Sequence, residues 1–258
     1  MVSLTEKELS LSVIIRYSVR IFIKEFKFLI AASLAFTVLV LVSMFLLMFL
    51  TTQLVQAAPV LAILVFIMMM VLFTLIPTYQ MILVTLKLNS RIQDVKVSLG
   101  QLLKESYAKL FPVYGGVLLM VVYLLLWGLL LIIPGIYKTY KYILAPSSMI
   151  LKSLSAREAI HYSQTLTAGR WWKTLLSFLL PFLPMMALSV LCQLVALWGG
   201  NPWQNMALFT GLIVSWLTGV LQYSIIAVIT FVLFINYDSQ GKAVRTAEAI
   251  EAPENSAV

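Results

Sequence analysis

Residues Phe28 to Leu86 read FLIAASLAFTVLVLVSMFLLMFLTTQLVQAAPVLAILVFIMMMVLFTLIPTYQMILVTL, and none of them is charged. The run of 59 residues between Lys27 and Lys87 is too long for one membrane span and suits two, since a helical span takes roughly 20 residues. Thr51 to Pro59 (TTQLVQAAP) is the natural break. A second uncharged run of 64 residues separates Lys173 from Asp238, interrupted by Gly199-Gly200-Asn201-Pro202, a strong turn signal. Leu110 to Tyr137 is also uncharged and long enough to cross.

The whole chain agrees with these runs. Of 258 residues, 62% are hydrophobic and 11% charged, against roughly 45–50% and about 25% in soluble domains. Mean hydropathy is +1.00. Such a surface would not stay in water, so soluble-enzyme and nucleic-acid-binding classes drop out and an all-α, polytopic transmembrane bundle is predicted. The net charge of +8 does not point to nucleic acid, because the basic residues sit between apolar runs. One Cys excludes a disulfide framework and a Cys-based metal site.

Pro134 to Leu151 is the harder stretch, because it carries Lys138 and Lys141. If it crosses, the chain has six spans, 28–50, 59–86, 111–133, 135–153, 174–198 and 204–236. Sixteen of the 18 Lys and Arg residues then share one side and the lysine pair takes the other. The positive-inside rule favours that arrangement, with both termini cytoplasmic and the lysine pair at the outer end of span four. Residues 239–258 are polar and read as a mobile cytoplasmic tail.

Three segments share a pattern. Ser10 and Ser18, Ser98 and Ser106, and Ser155 and Ser163 each lie eight apart, with a small or apolar pair at the same offset: Ile14-Ile15, Leu102-Leu103 and Ala159-Ile160. Ser98 with Gln101 and Ser155 with Glu158 form capping boxes; Val13 denies the first segment its box. The chain therefore reads as three units, each an amphipathic helix lying on the cytoplasmic face and leading into a two-span hairpin. In the first unit Arg16, Arg20, Lys24 and Lys27 make one helical stripe beside bulky apolar residues, the signature of an interfacial helix drawn to anionic headgroups.

Catalytic chemistry is hard to find. No carboxylate falls inside a proposed span, and no Walker loop, H-E-x-x-H or G-x-S-x-G occurs, so no cofactor, metal or catalytic residue is expected. His161 and Cys192 read as an inert surface residue and a small apolar filler. Two features remain. Ala207, Gly211, Ser215 and Gly219 form a small-residue strip that suits close helix packing, within the chain or in a homodimer. Lys138 and Lys141, among Tyr137, Tyr140 and Tyr142, are either snorkelling lysines in an aromatic belt or an anion or lipid-headgroup site.

The central third carries a resemblance. Ile132-Ile133-Pro134-Gly135-Ile136-Tyr137, then Tyr142 to Pro146, then Ser155-Ala156-Arg157-Glu158-Ala159-Ile160, Ser163 and Gly169-Arg170-Trp171-Trp172-Lys173 resemble the YciC-like uncharacterised inner-membrane proteins of bacteria. They are also similar to the membrane-anchor region ahead of some glycerophosphodiester phosphodiesterases. The resemblance implies a multipass envelope protein without established catalytic residues, and no phosphodiesterase domain is present to carry that activity. The expected role is thus a non-enzymatic, membrane-organising or accessory protein of the bacterial inner membrane, binding anionic lipid or a partner membrane protein. The alternative is a carrier or channel for a small solute or lipid.

Overall fold

The structure, a computed structural model, describes residues 9–198 and 219–240. It is an all-helical bundle; among the described residues there is no strand. The helices are α1 (Leu11–Lys24), α2 (Phe26–Ala57), α3 (Pro59–Ile92), α4 (Leu99–Leu130), α5 (Ile132–Tyr142), α6 (Ala145–Lys152), α7 (Ala156–Thr167), α8 (Trp171–Trp198) and α9 (Gly219–Gln240). Five of them, α2, α3, α4, α8 and α9, hold stretches long and apolar enough to cross a membrane. The protein is thus membrane-embedded by composition and architecture alike.

The first hairpin is as expected, with a sharper turn. Its helices run through the predicted break and only Ala58 (φ −150°, ψ 76°) leaves the helical region. Pro59 then opens α3 at a position where its missing N–H costs nothing. Side chains match along the pair: Glu25 with Arg91 (2.9 Å), Lys87 over the Phe28 ring (5.6 Å) and Phe36 beside Tyr79 (5.7 Å). With 32 and 34 residues, the two helices exceed a ~30 Å hydrocarbon core and must tilt or project beyond it.

Span four differs from its prediction. Residues 135–153 do not form one helix; α5 and α6 have 11 and 8 residues and part at Ile143–Leu144. Pro146 is the cause, since it cannot donate to the Tyr142 carbonyl and its ring crowds that turn. The two pieces still return along α4. Gly135 lies against Gly128, Met149 against Gly116, and Lys109 Nζ donates to the Ile150 carbonyl at 2.7 Å. The hairpin exists, but its second leg is broken. Pro77, Pro112 and Pro181, by contrast, sit inside continuous helices.

The repeat is visible in the backbone. Ser10, Ser98 and Ser155 are all helix N-caps with near-identical dihedrals (φ −67°, −70°, −64°; ψ 157°, 154°, 160°). Four residues on, Ile14, Leu102 and Ala159 are buried; eight residues on, Ser18, Ser106 and Ser163 are no more than 3% exposed. Ser98 and Gln101 close the expected box. At Ser155 the Glu158 carboxylate accepts from both the backbone N–H (3.0 Å) and the hydroxyl (2.7 Å). Ser10 has no side-chain cap bond.

The three amphipathic segments join their spans in different ways. α1 breaks from α2 at Glu25, and α7 from α8 at Ala168-Gly169-Arg170, where Gly169 adopts a left-handed φ of 71°. The second segment has no break and runs on into span three as the single helix α4. Nor does α7 simply lie on a surface. It doubles back beside α6, so that Ser163 Oγ donates to the Lys141 carbonyl (2.7 Å) and accepts the Leu144 N–H (3.2 Å). These bonds satisfy the backbone at the α5–α6 break, the condition for irregular backbone inside a membrane protein.

The core sits where the repeats converge. Val228 to Tyr237 of α9 are buried on nearly every side against Ile14, Leu29, Val84, Leu88 and Leu144. A second cluster joins Ile82 and Leu86 of α3 to Leu102, Ile150, Ala159 and Ile160. Polar ties cross the same region. Gln80 Nε2 donates to Ser33 Oγ (2.9 Å), the Ser33 and Ser224 hydroxyls share a hydrogen bond (2.7 Å), and the Tyr223 hydroxyl donates to the Pro77 carbonyl (2.8 Å). These groups partner one another and act as interhelical glue.

Candidate functional site

The lysine pair singled out by sequence sits on α5 but splits between two surroundings. Lys138 Nζ lies over the rings of Trp127 (4.7 Å) and Tyr142 (5.9 Å). Lys141 Nζ lies over Tyr137 (4.6 Å), which meets Trp171 edge-on at 5.5 Å; Trp171 in turn stacks on Trp172. Cation–ring contacts of this length are attractive, by about 0.5–1 kcal/mol at exposed sites and more when desolvated.

That Tyr137–Trp171 contact corrects the expected depth of the pair. The charge distribution along the sequence puts Lys138 and Lys141 at the outer face and Trp171 at the cytoplasmic entry to span five. Rings 5.5 Å apart share one depth. The physical reason is α7: by running back along α6 it returns the chain to the level of α5 before α8 begins. The lysines therefore stand beside the start of α8 and not on a face apart from it.

Around Lys138 the fold assembles a site. Tyr123 and Trp127 come from α4, Tyr142 from the end of α5, and Arg157, Ile160, His161 and Gln164 from α7; together they line a cavity of about 300 Å³. Arg157, His161 and Gln164 sit at i, i+4, i+7 spacing, one face of a helix. Arg157 and His161 are exposed, Gln164 half-buried and Tyr142 buried. No carboxylate is among the lining residues. Glu158, the acidic neighbour on α7, is turned to its cap, where the Ser155 hydroxyl and N–H hold its carboxyl below the usual range. A guanidinium, an imidazole and an amide thus line one aromatic-walled recess, with the Lys138 ammonium over two of the rings that wall it, a set that suits an oxyanion.

The spacing on α7 is readable in the sequence, yet sequence alone leaves His161 isolated. Its companions Tyr123 and Trp127 lie more than thirty residues earlier, and only the broken hairpin brings them near. Beside the site, Lys152 and Tyr162 both bond Asp238, and Lys152 Nζ also reaches the Tyr162 hydroxyl at 2.5 Å. This cluster ties α6 and α7 to the end of α9.

The other sequence candidates are dispersed. Arg16, Arg20 and Lys24 are exposed along α1, as an interfacial stripe requires, and none lines the cavity. Of the small-residue strip, Ala207, Gly211 and Ser215 lie outside the described residues. Gly219, the first described residue of α9, has nothing among the described residues within 4 Å of the place a Cβ would take. No family model, no curated protein and no solved structure matches the chain.

Proposed function

We propose that this is a non-enzymatic multipass protein of the bacterial inner membrane, membrane-organising or accessory in role, that holds an anionic lipid headgroup between α4, α5 and α7. The resemblance of the central third to YciC-like proteins supports the location. The observation that carries the binding is the convergence of Arg157, His161 and Gln164 on one aromatic recess with no carboxylate in its lining, whose Trp127 and Tyr142 walls also carry Lys138. Arg157 supplies a planar fork for phosphate oxygens, Lys138 a point charge held in place by Trp127 and Tyr142, and Gln164 a neutral donor. The exposed stripe of Arg16, Arg20 and Lys24 adds non-specific attraction to an anionic surface.

The test is native mass spectrometry of protein extracted from equimolar phosphatidylglycerol and phosphatidylethanolamine. Wild type retains phosphatidylglycerol preferentially, and Lys138→Gln with Arg157→Gln lowers that preference about tenfold or more, the scale of a charged hydrogen bond. Lys141→Gln leaves it unchanged, because Lys141 lies over Tyr137, which is not a wall of the recess, whereas Lys138 lies over Trp127 and Tyr142, which are. Equal retention by wild type and the double variant, at equal expression, refutes the reading.

A further inference from the structure

A second recess lies between α1, α8 and α9. Ile15, Ser18, Val19, Phe22 and Ile23 form one wall and Leu180, Pro181, Ile225 and Ile229 the rest, around about 450 Å³, a volume within the range of ligand sites. Its lining is apolar apart from Ser18. Val19, Ile23 and Leu180 are 49%, 67% and 46% exposed, so the groove opens sideways onto the surface that faces lipid.

Ser18 is the informative residue. It is 3% exposed, and its Oγ makes no hydrogen bond among the described residues. It does not even take the usual helical recourse of donating to the carbonyl four residues back, as Thr37, Thr78 and Ser177 do. Of its two repeat counterparts, Ser163 uses the same hydroxyl to donate to the Lys141 carbonyl, while Ser106, like Ser18, has no partner among the described residues. A hydroxyl left unmatched in an apolar setting is costly, and the repeat shows what such a hydroxyl does when an acceptor is beside it. Arg16 and Arg20 lie one step round α1 from Val19 and Ile23, on the flank of the groove.

We infer that the groove between α1, α8 and α9 seats one acyl chain of an ester-linked glycerophospholipid, with the ester carbonyl accepting the Ser18 hydroxyl and the phosphate towards Arg16 and Arg20. Apolar walls take the chain, the buried donor takes the one polar atom near its root, and the basic flank takes the headgroup. This site is separate from the recess at Lys138 and does not depend on it.

Diether phosphatidylglycerol, which lacks ester carbonyls but keeps headgroup and chain length, is the decisive probe. Purified full-length protein is equilibrated with equimolar diester and diether lipid, and the bound ratio is read by native mass spectrometry. Wild type favours the diester about 2–10-fold, the range for one neutral hydrogen bond. Ser18→Ala brings the ratio to one while keeping the fold, since it removes only an unpartnered hydroxyl. Val19→Trp, at a half-exposed position, fills the groove and lowers the number of retained lipids by one. A wild-type ratio of one, or a preference that survives Ser18→Ala, overturns the inference. So does a Val19→Trp variant that keeps its lipids but shifts from dimer to monomer, which would make the occupant a second copy. Arg157→Gln leaves the ester-to-ether ratio intact, so failure of the headgroup reading and failure of this one are told apart.

Discussion

Replacing Ser163 by Ala, and separately Ser106 by Ala, makes the same chemical change at equivalent positions of two repeats and should give opposite results. Both serines are 0% exposed. Ser163 Oγ accepts the Leu144 N–H and donates to the Lys141 carbonyl, while Ser106 Oγ has no partner among the described residues. In Ser163→Ala the Leu144 N–H is stranded in a buried break. Lys141 keeps only the Thr167 hydroxyl at 3.5 Å, a bond at the limit of useful length. An unsatisfied buried donor costs about 1–3 kcal/mol. In a chain of this size each kcal/mol moves the melting temperature by about 2–4 °C, so a loss of about 2–12 °C is expected. Ser106→Ala instead removes a hydroxyl that had no bond to lose, and its melting temperature stays level or rises slightly. Intrinsic tryptophan fluorescence during heating in mild detergent reads both. Equal losses in the two variants would refute the idea that Ser163 is a backbone clamp.

The central unit supplies two further expectations. A Cβ on Gly135 would stand 3.1 Å from the Gly128 Cα, whereas one on Gly128 meets nothing within 4 Å; Gly135→Ala should therefore cost about 1–3 kcal/mol and Gly128→Ala far less, by the same melting assay. The Glu158 carboxyl is held below its usual range by the Ser155 hydroxyl and N–H, so its cap is at full strength at neutral pH and weakens as pH falls through its titration. Protection factors at the start of α7, taken against the intrinsic exchange rate at each pH, should fall on acidification in wild type and stay flat in Glu158→Gln, which keeps the reach-back bond without a charge.

The first hairpin was legible because a charge-free run of given length has few alternatives in lipid: Phe28 to Leu86 had to fold back once. The serine spacing was legible because N-cap chemistry is local, and Ser98 with Gln101 needs no distant partner. The break in span four was half legible. Pro146 announces a disturbance, but whether it kinks or severs depends on a side chain that can satisfy the freed backbone, and Ser163 lies seventeen residues on. The depth of Lys138 was not legible, since an amphipathic pattern is the same for a helix lying on lipid and for one folded against its neighbour. α7 does the second. The recess itself joins Trp127 to His161 across that fold-back, and local sequence cannot report such a meeting.

The bond between Ser33 and Ser224 spans 191 positions of sequence. In a chain inserted from its N-terminus, the first hairpin therefore enters the bilayer with Ser33 held only by Gln80, and the Pro77 carbonyl waits for Tyr223. Until α9 arrives, the surface that becomes the centre of the bundle is a lipid-exposed flank with polar groups on it. A product truncated before α9 therefore leaves Ser33 and the Pro77 carbonyl without their α9 partners, an open polar seam facing lipid.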